Sequence, residues 1–290
     1  MDDNIKQPTV LGQVLTKTTE TWPLKSPASR QELAWDCEDC GATIRPLEFT
    51  ILEKTRLIKK RFCDCRGGKK RRIDYEAEQR HQEWRARAEN LLLQAGLTYG
   101  RYADHRFGNW DTSRNNGAGR RPHELVNAYV DNVTKKGKNW LYLHGGYGLG
   151  KTHLAIAALR KAAALRLWIP HVIVWPELCQ LTQESWSARA IHVGAMWVKS
   201  RSADLLLLDD LDKTDTKPWA MARLFSLVNC RYDRRKPTII TANHSPDALK
   251  AIWANSEQDH VRDTGSAILS RIGGQLAGVI EFRGEDQRWK

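Results

Sequence analysis

Nothing in the 290-residue chain approaches the run of roughly 20 apolar residues that a membrane span needs. Its opening residues, Met1-Asp2-Asp3, are acidic where an export signal is basic and then apolar. A cytoplasmic protein with no membrane partner is therefore expected. No internal repeat is evident. Acidic residues are in deficit: 34 Asp and Glu face 46 Lys and Arg, for a formal charge of +12. Much of that excess is local, because ten basic residues between Lys54 and Arg72 stand against a single acid, Asp64. Such a field attracts polyanions or an acidic protein face and makes binding salt-sensitive, although a merely solvated basic surface has the same composition. With 41% hydrophobic and 28% charged residues the chain can build a core and does not read as disordered. Its length suits one large domain with a smaller one, or two ordinary domains.

Cysteine is also scarce, and spacing matters more than number. Without an export signal disulfides are not expected, yet Cys37-Glu38-Asp39-Cys40 and Cys63-Asp64-Cys65 supply four soft thiolates in two chelating pairs. This pattern reads as a structural Zn2+ site, the metal closing a region with few core residues of its own. The second pair is CxC where CxxC is commoner, and four free thiols in a reducing cytosol are the alternative. Cys179 and Cys230, each isolated, read as core residues.

Along the chain, residues 1–30 are polar and Thr-rich and read as an arm. Residues 31–73 form the four-cysteine module with its basic segment, 74–122 a charged helix (Asp74 to Gln94) and a turn-rich linker or exposed loop, and 123–290 a second domain. In that second part short apolar runs alternate with helical patterns. The expected strands are 140–144, 171–175, 205–208, 238–242 and 279–282, with helices over 152–167, 188–199 and 219–232 between them. The run Leu205–Leu208 is apolar on both sides, as a strand covered on two faces must be. The fold class is α/β with a mainly parallel sheet. Met221, Leu224, Phe225 and Val228 are spaced as one buried helix stripe, and Ala188, Ile191, Ala195 and Val198 nearly so. Twelve tryptophans are dispersed and read as packing anchors, Trp168, Trp175 and Trp197 among them.

The sharpest chemistry lies at the first strand-to-helix turn. Gly145-Gly146-Tyr147-Gly148-Leu149-Gly150-Lys151-Thr152 is a full G-x-x-x-x-G-K-T between a strand and an Ala-rich helix. Its glycines let the backbone wrap phosphates, Lys151 bridges the β- and γ-phosphates of ATP, and Thr152 offers a hydroxyl to Mg2+. An acidic partner belongs at the end of a neighbouring buried strand, and Asp204-Leu205-Leu206-Leu207-Leu208-Asp209-Asp210 supplies it. Asp209 reads as the Mg2+ residue. Asp210 reads either as the base that polarises the attacking water or as a helix cap behind the site. The strand Thr238–Ala242 ends in Asn243, placed to orient a water beside the γ-phosphate or simply to make a turn.

The segments GGYGLGKTHLA, DLLLLDDLDK, NCRYDRRKPTIITANHS and AILSRI together resemble the AAA+ ATPases of the bacterial and phage helicase-loader group (DnaC/DnaI-like), close to the IstB-like transposition helpers. The likeness runs from about Thr98 to Lys290. It implies an AAA+ P-loop core, with Asn243 as the sensor-1 residue and Arg271 as an arginine finger offered to a neighbouring subunit of a ring or spiral. It also implies that no separate helical lid follows the sheet, and Arg288 is similar to the group's terminal arginine. The resemblance further implies an N-terminal module that grips the replicative DNA helicase, single-stranded DNA as a partner, and ATP hydrolysis at a subunit interface. Because DnaI-like loaders carry metal-binding N-terminal modules, the cysteines favour the loader over an IstB-like ATPase that coats DNA and recruits a transposase. A non-hydrolysing, nucleotide-dependent adaptor is a third reading.

Overall fold

A computed structural model of the chain describes residues 21–23, 33–51, 54–113, 115–185, 190–213 and 216–289. Of the arm expected over 1–30, only 21–23 fall among them; the rest lies outside the described residues. The chain divides into two compact units, Met1–Glu83 and Trp84–Lys290.

In the first unit, β1 (Thr21–Pro23), β4 (Leu47–Ile51) and β5 (Lys54–Ile58) form an antiparallel sheet in the order β1-β5-β4. A second ribbon pairs β2 (Trp35–Asp36) with β3 (Thr43–Ile44), and the turn between them carries Cys37 and Cys40. The helix expected from Asp74 starts earlier: α1 spans Arg66–Gln94. After Arg66-Gly67-Gly68 the residues Lys69 to Arg72 are good helix formers, and the Lys69 amide donates to the Cys65 carbonyl at 2.9 Å. The helix thus begins where the second cysteine pair ends.

The second unit contains α2 (Arg120–Asn132), β6 (Trp140–Gly145), α3 (Lys151–Arg166), β7 (Pro170–Val174), α4 (Trp175–Ser185), α5 (Ala190–Ser202), β8 (Leu205–Asp209), α6 (Pro218–Asp233), β9 (Thr238–Ala242), α7 (Pro246–Ala254), α8 (Asp259–Gln275) and β10 (Leu276–Phe282). Its five strands run parallel in the order β10-β6-β9-β8-β7. Period-two alternation splits the strand residues between two cores. Trp140, Tyr142, Leu206, Leu208 and Ile240 pack on one face with α4 to α8, and Leu141, Leu143, Leu205, Leu207 and Ile239 on the other with α2 and α3. Each such leucine, fully buried, contributes about 1.5–3 kcal/mol. The expected α/β class is what the chain adopts. Among the described residues the short 3-10 turn Gln287–Trp289 follows β10.

Two more features differ from the sequence reading, and a third was not legible in it. The stripe expected on α5 is rotated: Val193, Trp197 and Ser200 are buried, while Ala195 is exposed and Val198 is 66% exposed. The larger ring sets the face, since Trp197 meets Trp175 edge-on at 6.1 Å; Ala188 and the side chain of Ile191 lie outside the described residues. Helices α2, α4, α7 and α8 were not anticipated, and α2 begins inside the stretch read as linker or loop. Finally, Arg231 on α6 is 1% exposed, and among the described residues no carboxylate forms an ion pair with it. Its guanidinium donates to Thr238 Oγ1 and to the carbonyls of Ser200, Ala203 and Pro237, tying α6 to the start of β9, and burial pulls its pKa down to about 9. No helix among the described residues is long and apolar enough to cross a membrane.

Candidate nucleotide site and thiol cluster

The turn from β6 into α3 is built on backbone that only glycine adopts freely: Gly145, Gly148 and Gly150 have φ of +139°, +65° and +84°. At its end Lys151 is buried, 7% exposed, and its Nζ reaches back along the loop. It donates to the carbonyls of Gly145 and Gly146, both at 2.7 Å, and to Asn243 Oδ1 at 3.1 Å. All three acceptors are neutral. Burial lowers the lysine pKa, and Asp210, Asp212 and Asp209 pull the other way. An ammonium held in this setting gains by meeting phosphate oxygens, so the loop fits a polyphosphate.

Asp209 ends β8 at 5% exposure. It accepts from Thr152 Oγ1 at 2.9 Å and from Thr241 Oγ1. Burial raises its pKa, and the two threonine hydroxyls hold it down. A buried carboxylate beside a threonine hydroxyl is the oxygen donor set that Mg2+ takes. Asp210 has φ of +59°, unusual for a residue with a side chain, and its amide donates to Thr241 Oγ1 at 3.0 Å. Its carboxylate pairs with Lys213 at 2.8 Å.

Lys151, Thr152, Asp209 and Asn243 are therefore linked by hydrogen bonds, and Lys151, Thr152, Asn243 and Asp210 border a cleft of about 340 Å³, which Tyr147, Lys213 and Arg288 also line. Arg271 does not join them. It lies on α8, where Nε donates to Asn229 at 2.5 Å, Nη1 to the Ala267 carbonyl, and the guanidinium sits over Phe225. Arg288 reaches the cleft from the turn after β10, paired with Asp286 at 2.6 Å, while the Gln287 amide meets the Gly148 carbonyl at 3.4 Å. Thr241 and Lys213 escaped the sequence reading, although Thr241, two residues before Asn243, carries a recoverable signal. Trp110 escaped it too: placed in the stretch read as linker, it packs against His153 and Phe282 and over Gly150. Nothing in its sequence neighbourhood indicates those partners.

In the first unit the four cysteine sulfurs lie within 4.8 Å of one another. Cys37 and Cys65 are 3.8 Å apart, Cys40 and Cys63 3.6 Å. Four sulfurs around one zinc at about 2.3 Å each stand about 3.8 Å apart, so the cluster fits a tetrathiolate ion. Donors already surround it: the Gly68 amide meets Cys65 Sγ at 3.3 Å, and Arg71 reaches Cys37 Sγ at 3.5 Å while pairing with Asp39 at 2.7 Å. For Cys37, burial pushes the thiol up, but hydrogen bonds from the backbone amides of Asp39 and Cys40 and from the Cys40 and Cys65 thiols together bring its pKa down to about 7.

Comparison with known proteins points one way. The sequence profile of the bacterial DnaA ATPase domain matches residues 111–259. The replicative helicase loader DnaI of Bacillus subtilis (strain 168) is 28% identical over 158 residues, covering 54% of this chain and 50% of that protein. The chromosomal replication initiator protein DnaA of Methylacidiphilum infernorum (isolate V4) is 32% identical over 116 residues, covering 40% of this chain and 25% of that one. The crystal structure of DnaI superposes with a TM-score of 0.50 at 22% identity, over 63% of this chain and 90% of that structure, and so shares the fold. The chain spans half or less of the length of the relatives it matches in sequence.

Proposed function

The chain belongs to the family of the bacterial DnaA ATPase domain, and from that premise we propose that it is an ATP-dependent loader of the replicative DNA helicase onto single-stranded DNA. The observation that carries the ATPase half is the convergence of Lys151, Thr152 and Asn243 on one cleft at the ends of β6, β8 and β9, with Asp209 behind it hydrogen-bonded to the Thr152 hydroxyl. The loader half draws on the likeness to DnaI and on a four-thiol cluster beside a strongly basic segment.

In this reading residues 145–152 wrap the phosphates of ATP, and Lys151 exchanges its neutral acceptors for β- and γ-phosphate oxygens. Thr152 and Asp209 hold Mg2+, which when bound neutralises charge on the phosphates. Asp210, released from Lys213, takes the proton of the attacking water, and Asn243 orients that water. Arg271 acts on a neighbouring subunit's nucleotide once copies assemble into a ring or spiral, and ATP hydrolysis at that interface resets the assembly. Residues 123–290 supply this engine. Residues 31–73, closed by zinc on Cys37, Cys40, Cys63 and Cys65, grip the helicase.

The test uses the full chain with a hexameric replicative helicase and single-stranded DNA coated by its binding protein. The expected result is ATP-dependent deposition of the helicase, lost in Lys151→Ala. A chain that ignores the helicase but retains a transposase would instead support the IstB-like reading.

A further inference from the structure

Asp212 lies two residues beyond Asp210, in the 3-10 turn Leu211–Lys213 that follows β8. Its side chain is 1% exposed. One oxygen, Oδ2, accepts from the backbone N–H of Asn243 at 2.8 Å and of His244 at 3.1 Å, and lies 2.7 Å from His244 Nδ1. The other, Oδ1, is buried with no hydrogen-bond partner among the described residues. Burying a carboxylate with one oxygen bare is costly, so an apolar side chain would serve better if the position only filled space.

What the carboxylate holds is the turn that carries Asn243. Every backbone polar group of Asn243 and His244 is engaged. Their N–H groups go to Asp212, the Asn243 carbonyl accepts from the Gly145 amide at 3.3 Å, and the His244 carbonyl accepts from the Tyr142 hydroxyl at 3.1 Å. With its main chain fixed from three sides, Asn243 retains only its own side-chain torsions, and its Oδ1 rests 3.1 Å from Lys151 Nζ. Asp212 thereby ties the end of β8, which carries Asp209 and Asp210, to the end of β9.

We propose that Asp212 is a positioning residue for nucleotide hydrolysis, acting through the Asn243 and His244 amides to hold the Asn243 carboxamide against Lys151 and the γ-phosphate position. The proposal rests on the nucleotide-site reading above. Asp212 itself touches none of the reacting atoms, so its removal acts on turnover and spares nucleotide binding.

The full chain is compared with Asp212→Ala, Asp212→Asn, Asp212→Leu, Asn243→Ala and the Asp212→Ala/Asn243→Ala double variant. Mg-ATP affinity, single-turnover hydrolysis on single-stranded DNA and thermal melting are measured for each. Asp212→Ala is expected to slow hydrolysis between about tenfold and about 100-fold. Its nucleotide Kd stays within about threefold of the wild type. Asp212→Asn, whose carboxamide oxygen still accepts both amides, recovers most of the rate. Asp212→Leu fills the buried site without accepting a hydrogen bond; it melts like the wild type yet loses the rate, which keeps the test valid if the alanine variant does not fold. Adding Asp212→Ala to Asn243→Ala slows hydrolysis no further. A wild-type rate in Asp212→Leu, or multiplied losses in the double variant, overturns the proposal. Lys151→Ala, run alongside, separates the two levels: wild-type hydrolysis by that variant would sink the nucleotide-site reading itself, and the role of Asp212 with it.

Discussion

Two adjacent glycines of the phosphate loop should respond to the same substitution in opposite ways. Gly145 has φ of +139°, and a Cβ there would lie 2.2 Å from the Phe282 carbonyl oxygen and 3.1 Å from its carbon. Those atoms are backbone of β10, and Phe282 is the residue paired with Gly145 across the β10–β6 ladder. At Gly146 the φ lies outside the left-handed region, and the nearest atom to a Cβ would be Leu149 Cδ1 at 3.7 Å, an ordinary contact. Gly145→Ala therefore carries a backbone strain of about 1–3 kcal/mol. It also pushes β10 from its neighbour, and each ladder hydrogen bond lost costs about 1 kcal/mol more. Against this stands about 0.4–1 kcal/mol from a stiffer unfolded chain. The net is about 3 kcal/mol of destabilisation for Gly145→Ala and close to zero, or slightly stabilising, for Gly146→Ala. In a unit the size of Trp84–Lys290, about 3 kcal/mol lowers Tm by about 6–12 °C. Tryptophan-fluorescence melts of the full chain measure both variants. A Gly145→Ala chain that melts with the wild type, or a Gly146→Ala chain that falls as far, would refute the loop geometry and its seating against β10.

Two further outcomes follow from groups away from the loop. His171 on β7 is held neutral by burial, with Lys199 and Arg231 adding repulsion, so its pKa falls from 6.5 to about 4, and its Nε2 has no hydrogen-bond partner among the described residues. The unfolded chain binds that proton more readily, so stability is full above pH 6.5 and declines as pH falls toward 4. By pH 5 the loss from this group is about 2 kcal/mol. Urea unfolding of the wild type and of His171→Phe at pH 7 and pH 5 measures it: the variant should lose about 2 kcal/mol less, the rest of the difference coming from groups such as His105, whose pKa burial also lowers to about 4; an unchanged pH dependence in that variant would exclude His171 as a source. For the thiol cluster, native mass spectrometry is expected to find one zinc per chain, lost in Cys40→Ser, with the remaining thiols then open to alkylation. A metal-free wild type with four thiols reacting at once would remove the zinc assignment.

Much of the fold was legible because its signals are local. The strands that build the sheet are short apolar runs, and the phosphate loop and the leucine strand ending in Asp209 compress three-dimensional requirements into fixed spacings. The cysteine pairs did the same for the thiol cluster. What escaped depends on contacts distant in the chain. Trp110 sits among glycines and asparagines, and its partners His153 and Phe282 are far along the sequence. Asp212 reads as one more acid in a charged turn until the fold places the Asn243 and His244 amides around it. The face of α5 was misjudged because spacing counts apolar residues equally, whereas the pairing of Trp197 with Trp175 decides the rotation. Nothing local marks Arg231 as buried: the carbonyls of Ser200, Ala203 and Pro237, which satisfy its guanidinium, converge from the end of α5 and the start of β9.

The central claim is that residues 145–152, Asp209 and Asn243 form one nucleotide site, and the most direct test is equilibrium binding of a non-hydrolysable ATP analogue to the full chain. One saturable site per chain is expected. Because Lys151 would make charge-assisted hydrogen bonds to phosphate, each contributing about 1.5–3 kcal/mol, Lys151→Ala should weaken binding by about 10-fold to about 100-fold. Undiminished binding by Lys151→Ala, or a wild type that binds no nucleotide, would contradict it.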